Sequence, residues 1–300
     1  MPSTADRISA LKRERNAVIL AHNYTSADIQ ELADYVGDSL GLSMKSAGTD
    51  ADVIVFCGVS FMGETAKILS PGKTVLLPEP EARCAMASMC TAEQIRLAKA
   101  RNPGAAVVGY VNSTAESKCE MDVCCTSSNA VAVARSLGDR EILFVPDGNL
   151  GAYVASETGR SVILWDGFCP VHHSITVRHV EALKAKFPGA AVIAHPECRP
   201  EVLRLADATG STERMVSLAG EAGTDDVIVL TESGMRRRLE AAHPGKRFHF
   251  PEHAVCMTMK MIEPASVLHA LETGEGEVVL DAEVLKRAYE PVKRMTELAG

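Results

Sequence analysis

Three similar α/β units in a row are what this sequence predicts, and three observations carry the expectation. Strand-like apolar runs alternate with helix-like stretches, the alternation recurs at a period of 84 to 88 residues, and one cysteine falls at the same place in every repeat. The units begin with Val18-Ile19-Leu20-Ala21-His22-Asn23-Tyr24, Val107-Val108-Gly109-Tyr110-Val111-Asn112 and Val192-Ile193-Ala194-His195-Pro196-Glu197, each an apolar run ending on a ring and then a polar side chain. His22, Tyr110 and His195 lie 88 and 85 residues apart.

A polar turn and a helical stretch follow in each unit, marked by Ser39, Ser127 and Ser211 at spacings of 88 and 84. A second buried strand is expected at 53–56, 142–145 and 227–230, then a second helix, then a third strand at 74–77, 161–165 and 247–250. Short apolar runs separated by helical patterns are the mark of parallel βαβ units. Beyond each third strand comes Cys84, Cys169 or Cys256, separated by 85 and 87 residues. The units are expected at residues 1–85, 86–171 and 172–269, with helices in 270–300 packing back on the first. Residues 257–262 read as a helix, and 282–298 as an amphipathic one with Leu285, Ala288, Val292 and Met295 on its apolar stripe.

Parallel sheets place ligands beyond the carboxyl ends of their strands, where helix amino termini also point. If the three units pack about a pseudo-threefold axis with those ends inward, three cysteines converge and the polar strand ends line a cavity above them.

Composition bounds the function. The 300 residues are 46% hydrophobic and 23% charged, the profile of a folded chain rather than a disordered one. No apolar run approaches the roughly 18 residues of a membrane span, and the amino terminus lacks the apolar stretch of a secretion signal. A cytoplasmic protein is expected, whose nine cysteines are thiols, metal ligands or buried small hydrophobes. With 31 basic against 39 acidic side chains the charge is −8, which argues against nucleic acid as a partner.

A single cysteine is most often plain core, as expected for Cys57 inside a strand. Three equivalent cysteines leave one position open on either zinc or an iron-sulfur cubane, and an open iron is a Lewis acid able to hold a hydroxyl or carboxylate. Cys90 and Cys198 compete for the ligand role, and Cys119, Cys124 and Cys125 lack zinc-type spacing. Around the expected cavity, His22, Tyr24, Tyr110, Asn112, His195 and Glu197 offer imidazole, phenol, amide and carboxylate groups that suit a polyfunctional acid. Ser39, Ser127, Ser211 and Thr212 read as helix caps, and helix starts hold anions without lysine or arginine. His172 and His173 follow Cys169 closely; Glu64, Lys67 and residues 249–253 are weaker candidates.

These residues resemble the quinolinate synthase family along nearly the whole chain. The likeness rests on Ala21-His22-Asn23-Tyr24, Gly37-Asp38-Ser39-Leu40, Glu64-Thr65-Ala66-Lys67, Cys84-Ala85-Met86-Ala87, Tyr110-Val111-Asn112-Ser113-Thr114, Thr126-Ser127-Ser128-Asn129, Pro146-Asp147-Gly148-Asn149, His195-Pro196-Glu197-Cys198 and Met259-Lys260. It implies three Rossmann-like αβα units around a pseudo-threefold axis and a 4Fe-4S cluster on Cys84, Cys169 and Cys256. It implies condensation of iminoaspartate with dihydroxyacetone phosphate to quinolinate, with loss of phosphate and two waters, in NAD biosynthesis. The family's pattern also implies that His22, Tyr24, Ser39, Tyr110, Asn112, Ser127, His172, His195, Glu197, Ser211 and Thr212 line the site, with Tyr24, Tyr110, His195 and Glu197 catalytic. L-aspartate oxidase or aspartate dehydrogenase would supply the iminoaspartate. Two places depart from the family: Thr25 stands where many members have glutamine, and Glu213-Arg214 where small or neutral residues are usual.

The rival readings are other three-cysteine cluster enzymes, namely a hydroxymethylbutenyl diphosphate reductase or a diphthamide-type enzyme, a zinc lyase using His195 and Cys198, and a non-catalytic cluster sensor. The His22-Asn23-Tyr24 and His195-Pro196-Glu197 motifs argue against the first two. A sensor needs an output module, and none is visible.

Overall fold

The computed structural model describes residues 2–298; the expectation for residues 299 and 300 lies outside them. Twelve strands form three separate four-stranded sheets among the described residues. The first holds β1 (Ala17–His22), β2 (Tyr35–Gly37), β3 (Val53–Cys57) and β4 (Thr74–Leu76). The second holds β5 (Ala106–Tyr110), β6 (Val123–Cys125), β7 (Ile142–Val145) and β8 (Val162–Leu164). The third holds β9 (Ala191–Ala194), β10 (Ala208–Thr209), β11 (Asp226–Leu230) and β12 (Arg247–His249). All pairings between these twelve strands are parallel, and the order within every sheet is second, first, third, fourth strand. The fold is therefore α/β with three Rossmann-like αβα units.

The central strands are near-continuous apolar runs because helices cover both faces. Val18 to Ala21 in β1 and Ile142 to Val145 in β7 are buried throughout. Each sheet carries one strand more than the sequence pattern predicts. β2, β6 and β10 are two or three residues long, too short for an apolar period to show. Each is docked by an aspartate instead. The carboxylates of Asp34, Asp122 and Asp207 accept from the backbone N–H of Ile19, Val107 and Val192, all at 2.8 Å, while their own N–H groups donate to the same three residues' carbonyls. These aspartates repeat at the period of the cysteines.

The first two units share one continuous apolar core, whereas the third has a separate core on each side of its sheet. The helix Ala282–Glu297 packs on helices Ser39–Gly48 and Ser60–Leu69 of the first unit and on β6 and helix Ala115–Lys118 of the second. Helix Pro264–Thr273 packs on helix Thr4–Glu14. The expected helix at 257–262 shrinks to a 3-10 turn, Met259–Met261. Tertiary bonds explain this: Lys260 Nζ donates to Tyr24 O at 2.6 Å and pairs with Glu232 at 3.1 Å, which pins the segment against the first unit.

Candidate functional site

The carboxyl ends of β1, β5, β9 and β11 meet at one cavity of about 280 Å³, small-metabolite size. His22, Tyr24, Ser39, Tyr110, Asn112, Ser127, His172, His195, Glu197 and Thr212 all line it, as do Cys84, Cys169 and Cys256. Ser211 does not; it caps helix Thr212–Glu221 from behind, accepting from Arg214 N. Helix Ser39–Gly48 is capped by Asp38, not by Ser39, and Ser127 lies in a turn three residues before helix Ala130–Ser136. The capping role expected of these hydroxyls thus holds for Ser211, while Ser39, Ser127 and Thr212 face the cavity.

The strand ends repeat in detail. His22 Nδ1 accepts from Tyr24 N at 3.2 Å, and His195 Nδ1 accepts from Glu197 N at 3.3 Å. With Nδ1 used as acceptor, the neutral ring carries its proton on Nε2. Burial drives both imidazoles down to a pKa of about 3, so they are neutral. A pH prediction follows. The unfolded chain takes up these protons near pH 6.5 while the fold refuses them until about 3, so stability is lost as pH drops through that window. The unfolding free energy from urea titration should fall by about 1 kcal/mol per ring between about pH 7 and 5.5; an unchanged value would contradict the buried neutral pair.

One buried chain of polar groups crosses all three units. Tyr110 OH donates to Glu197 Oε1. Glu197 Oε2 lies 2.7 Å from His172 Nδ1, although the pair sits off the line of a good hydrogen bond. His172 Nε2 is 2.9 Å from Thr231 Oγ1, which is 2.9 Å from Tyr24 OH. His172 also stacks on His195 at 4.4 Å. Burial alone would raise the Glu197 carboxyl, but the close His172 and His195 rings and the hydrogen bond donated by Tyr110 outweigh it and hold it below the ordinary carboxylate range. Burial, then the charge of Glu197, lifts the Tyr110 and Tyr24 phenols well above 10. The site therefore holds protonated phenols against an ionised carboxylate. Asn112 Oδ1 is buried with no protein partner and so is free to accept from a ligand.

The three cysteines follow β4, β8 and β12. Burial pushes the Cys84 thiol up to about 12 and lifts that of Cys169 well above its ordinary value; the neighbouring Cys256 adds to the first, and Glu197 and then Cys84 to the second. Burial keeps Cys84 and Cys169 as protonated thiols, which become thiolates only where a cationic group takes the place of their protons. Arg83 is the single lysine or arginine lining the cavity, and its side chain is two-thirds exposed against Glu81. The donor set thus fits a metal centre held by thiolates. Among the described residues, the trio whose donor atoms lie within 4.8 Å of one another is Cys169, His172 and Glu197. There the imidazole and carboxylate are already engaged with Thr231 and Tyr110.

The competing cysteines are elsewhere. Cys57, Cys90, Cys124, Cys125 and Cys198 are buried outside the cavity lining, and Cys198 Sγ donates to Leu230 O. His173 stacks on Phe168 and meets Asn149. Glu64, Lys67 and His249 are engaged with Ala115 N, Lys73 O and Asp226. Two cavity-side residues escaped the sequence reading. Thr231 relays between Tyr24 and His172, and Glu232, fully buried, accepts from Cys256 N at 3.1 Å. Both follow β11 directly, so the strand-end rule pointed to them.

Fold and site together define an α/β enzyme of three repeated units with a cavity lined by residues of all three. A profile of the family described as "Quinolinate synthetase A protein" matches residues 6–297. The chain is 51% identical over 293 residues to a quinolinate synthase of Dehalococcoides mccartyi, covering 97% of both proteins. It is 48% identical to one of Methanoregula boonei, over 98% of this chain and 97% of that protein, and 50% identical to one of Methanosarcina barkeri, over 97% and 96%. The chain belongs to the quinolinate synthase family. No helix among the described residues is long and apolar enough to cross a membrane.

Proposed function

We propose that this protein condenses iminoaspartate with dihydroxyacetone phosphate to quinolinate, releasing phosphate and two waters, in NAD biosynthesis. The observation that carries the reading is the joint cavity, lined by Cys84, Cys169 and Cys256 and by the buried chain that runs from Tyr110 through Glu197, His172 and Thr231 to Tyr24. Cys84, Cys169 and Cys256 would hold a 4Fe-4S cluster. When bound there, its open iron supplies Lewis acidity for the departure of a hydroxyl as water.

The chain's own groups do the rest. Ser39 and Thr212 stand at the first positions of ten-residue helices, whose free N–H groups and dipole suit substrate carboxylates or phosphate. This is how an acidic chain with one lining arginine receives anions. Neutral His22 and His195 donate from Nε2, and Asn112 Oδ1 accepts. Glu197 takes a proton from the carbon that becomes nucleophilic, while the Tyr24 and Tyr110 phenols donate to oxygens that gain charge. Val59, Phe61 and Met62 keep that wall apolar and limit water.

The test is turnover without oxygen. Purified protein given dihydroxyacetone phosphate and iminoaspartate generated in the cuvette should form quinolinate and inorganic phosphate in equal amounts. Binding of the substrates with no product would instead favour a sensor.

A further inference from the structure

Beside the cavity runs a second polar network that the mechanism does not use. It occupies the seam between the first and third units and ends on the cavity-lining hydroxyl of Thr212. Arg238, on helix Met235–Ala242, grips both carboxylate oxygens of Glu213 and donates to Val36 O at 3.2 Å and Asn23 Oδ1 at 2.8 Å. Asn23 Nδ2 in turn donates to Thr212 Oγ1 at 2.8 Å. Glu213 Oε1 also accepts from Asp38 N, and the Asp38 carboxylate accepts from Ser128 Oγ of the second unit. Asn23 is fully buried, and Thr212 is 3% exposed.

The network has a direction. A guanidinium carries donors only, so it fixes which end of the Asn23 amide faces it: the oxygen. The amide N–H₂ then faces Thr212, and the threonine oxygen spends a lone pair accepting from it. The threonine O–H is thereby left as a donor, on the residue that opens a helix toward the cavity. A hydroxyl held as donor at a helix start matches an oxyanion and mismatches a ligand N–H.

We infer that Arg238 and Asn23 are positioning residues that lock Thr212 as a hydrogen-bond donor to a carboxylate or phosphate oxygen of the ligand. Glu213 completes the device. It neutralises Arg238 and holds it in place. The inference rests on the proposed activity only in taking the ligand to be an oxyanion.

The test is quinolinate binding by the cluster-loaded enzyme, measured by calorimetry without oxygen. Asn23→Asp keeps an oxygen toward Arg238 but turns a second acceptor toward Thr212, so the hydroxyl swings away from the cavity. We expect a Kd raised roughly tenfold or more, as for a lost bond to a charged partner. Thr212→Val should show a similar loss, and the double variant should lose no more than either single one. Arg238→Met, which frees the amide to turn over, should raise Kd in the same direction. Iron and sulfide content should stay at the wild-type level in all of them. Additive losses, or Asn23→Asp binding quinolinate as the wild type does, would overturn the inference. Wild-type protein that fails to bind quinolinate at all would instead overturn the proposed activity, and the inference with it.

Discussion

Serine at Cys84, Cys169 or Cys256 is expected to reduce quinolinate formation at least a thousandfold, and each replacement should act alone. Lewis-acid stabilisation contributes several kcal/mol of barrier, and about 4 kcal/mol corresponds to roughly a thousandfold in rate. Serine is nearly isosteric with cysteine but a poor ligand for iron, so the fold should survive while the cluster does not. Cys57→Ala is the matched control. That thiol is buried in β3 outside the cavity lining, and its loss should leave iron content and rate unchanged. Loss of rate in the control, or full rate in any of the three serine variants, would contradict the assignment.

Glu197→Gln should lower kcat by roughly a hundredfold to ten-thousandfold while leaving iron and sulfide in place, the range typical of a lost general base. The amide keeps the size of the side chain and an oxygen for Tyr110, but it cannot take a proton at working pH. Glu197 is 3% exposed and held ionised by His172, His195 and Tyr110, so no solvent carboxylate substitutes for it. Single-turnover measurement of quinolinate separates this from slow product release. A kcat within twofold of wild type would remove Glu197 from the chemistry.

How much of this was readable beforehand differs by element. The period of the units shows in local sequence because each repeat needs the same things in the same order: an apolar run buried on both faces, then a ring-bearing strand end. His22, Tyr110 and His195 therefore stand out, as do the three cysteines. The short strands β2, β6 and β10 do not, since two or three residues cannot display a period. Their aspartates, Asp34, Asp122 and Asp207, were a usable sign that pattern reading passed over. Helix starts are legible, but of the hydroxyls read as caps only Ser211 is one: Thr212 stands one residue inside its helix, Ser127 two residues before its cap, and at Ser39 the neighbouring Asp38 is an equally good cap that the backbone selects. The segment 257–262 failed for a different reason. Its helical spacing is genuine, but the bonds of Lys260 to Tyr24 and Glu232 override it. Pairings such as Tyr110 with Glu197, or Arg238 with Asn23, join residues 87 and 215 positions apart and have no local trace at all.

The central claim is that three distant thiolates meet to grip one iron cubane. It is tested most directly by iron and acid-labile sulfide analysis of protein purified without oxygen, alongside its Cys169→Ser variant. The account predicts about four irons and four sulfides per chain in the wild type and little of either in the variant. Zinc in place of iron, or a cluster that persists in Cys169→Ser, would contradict it.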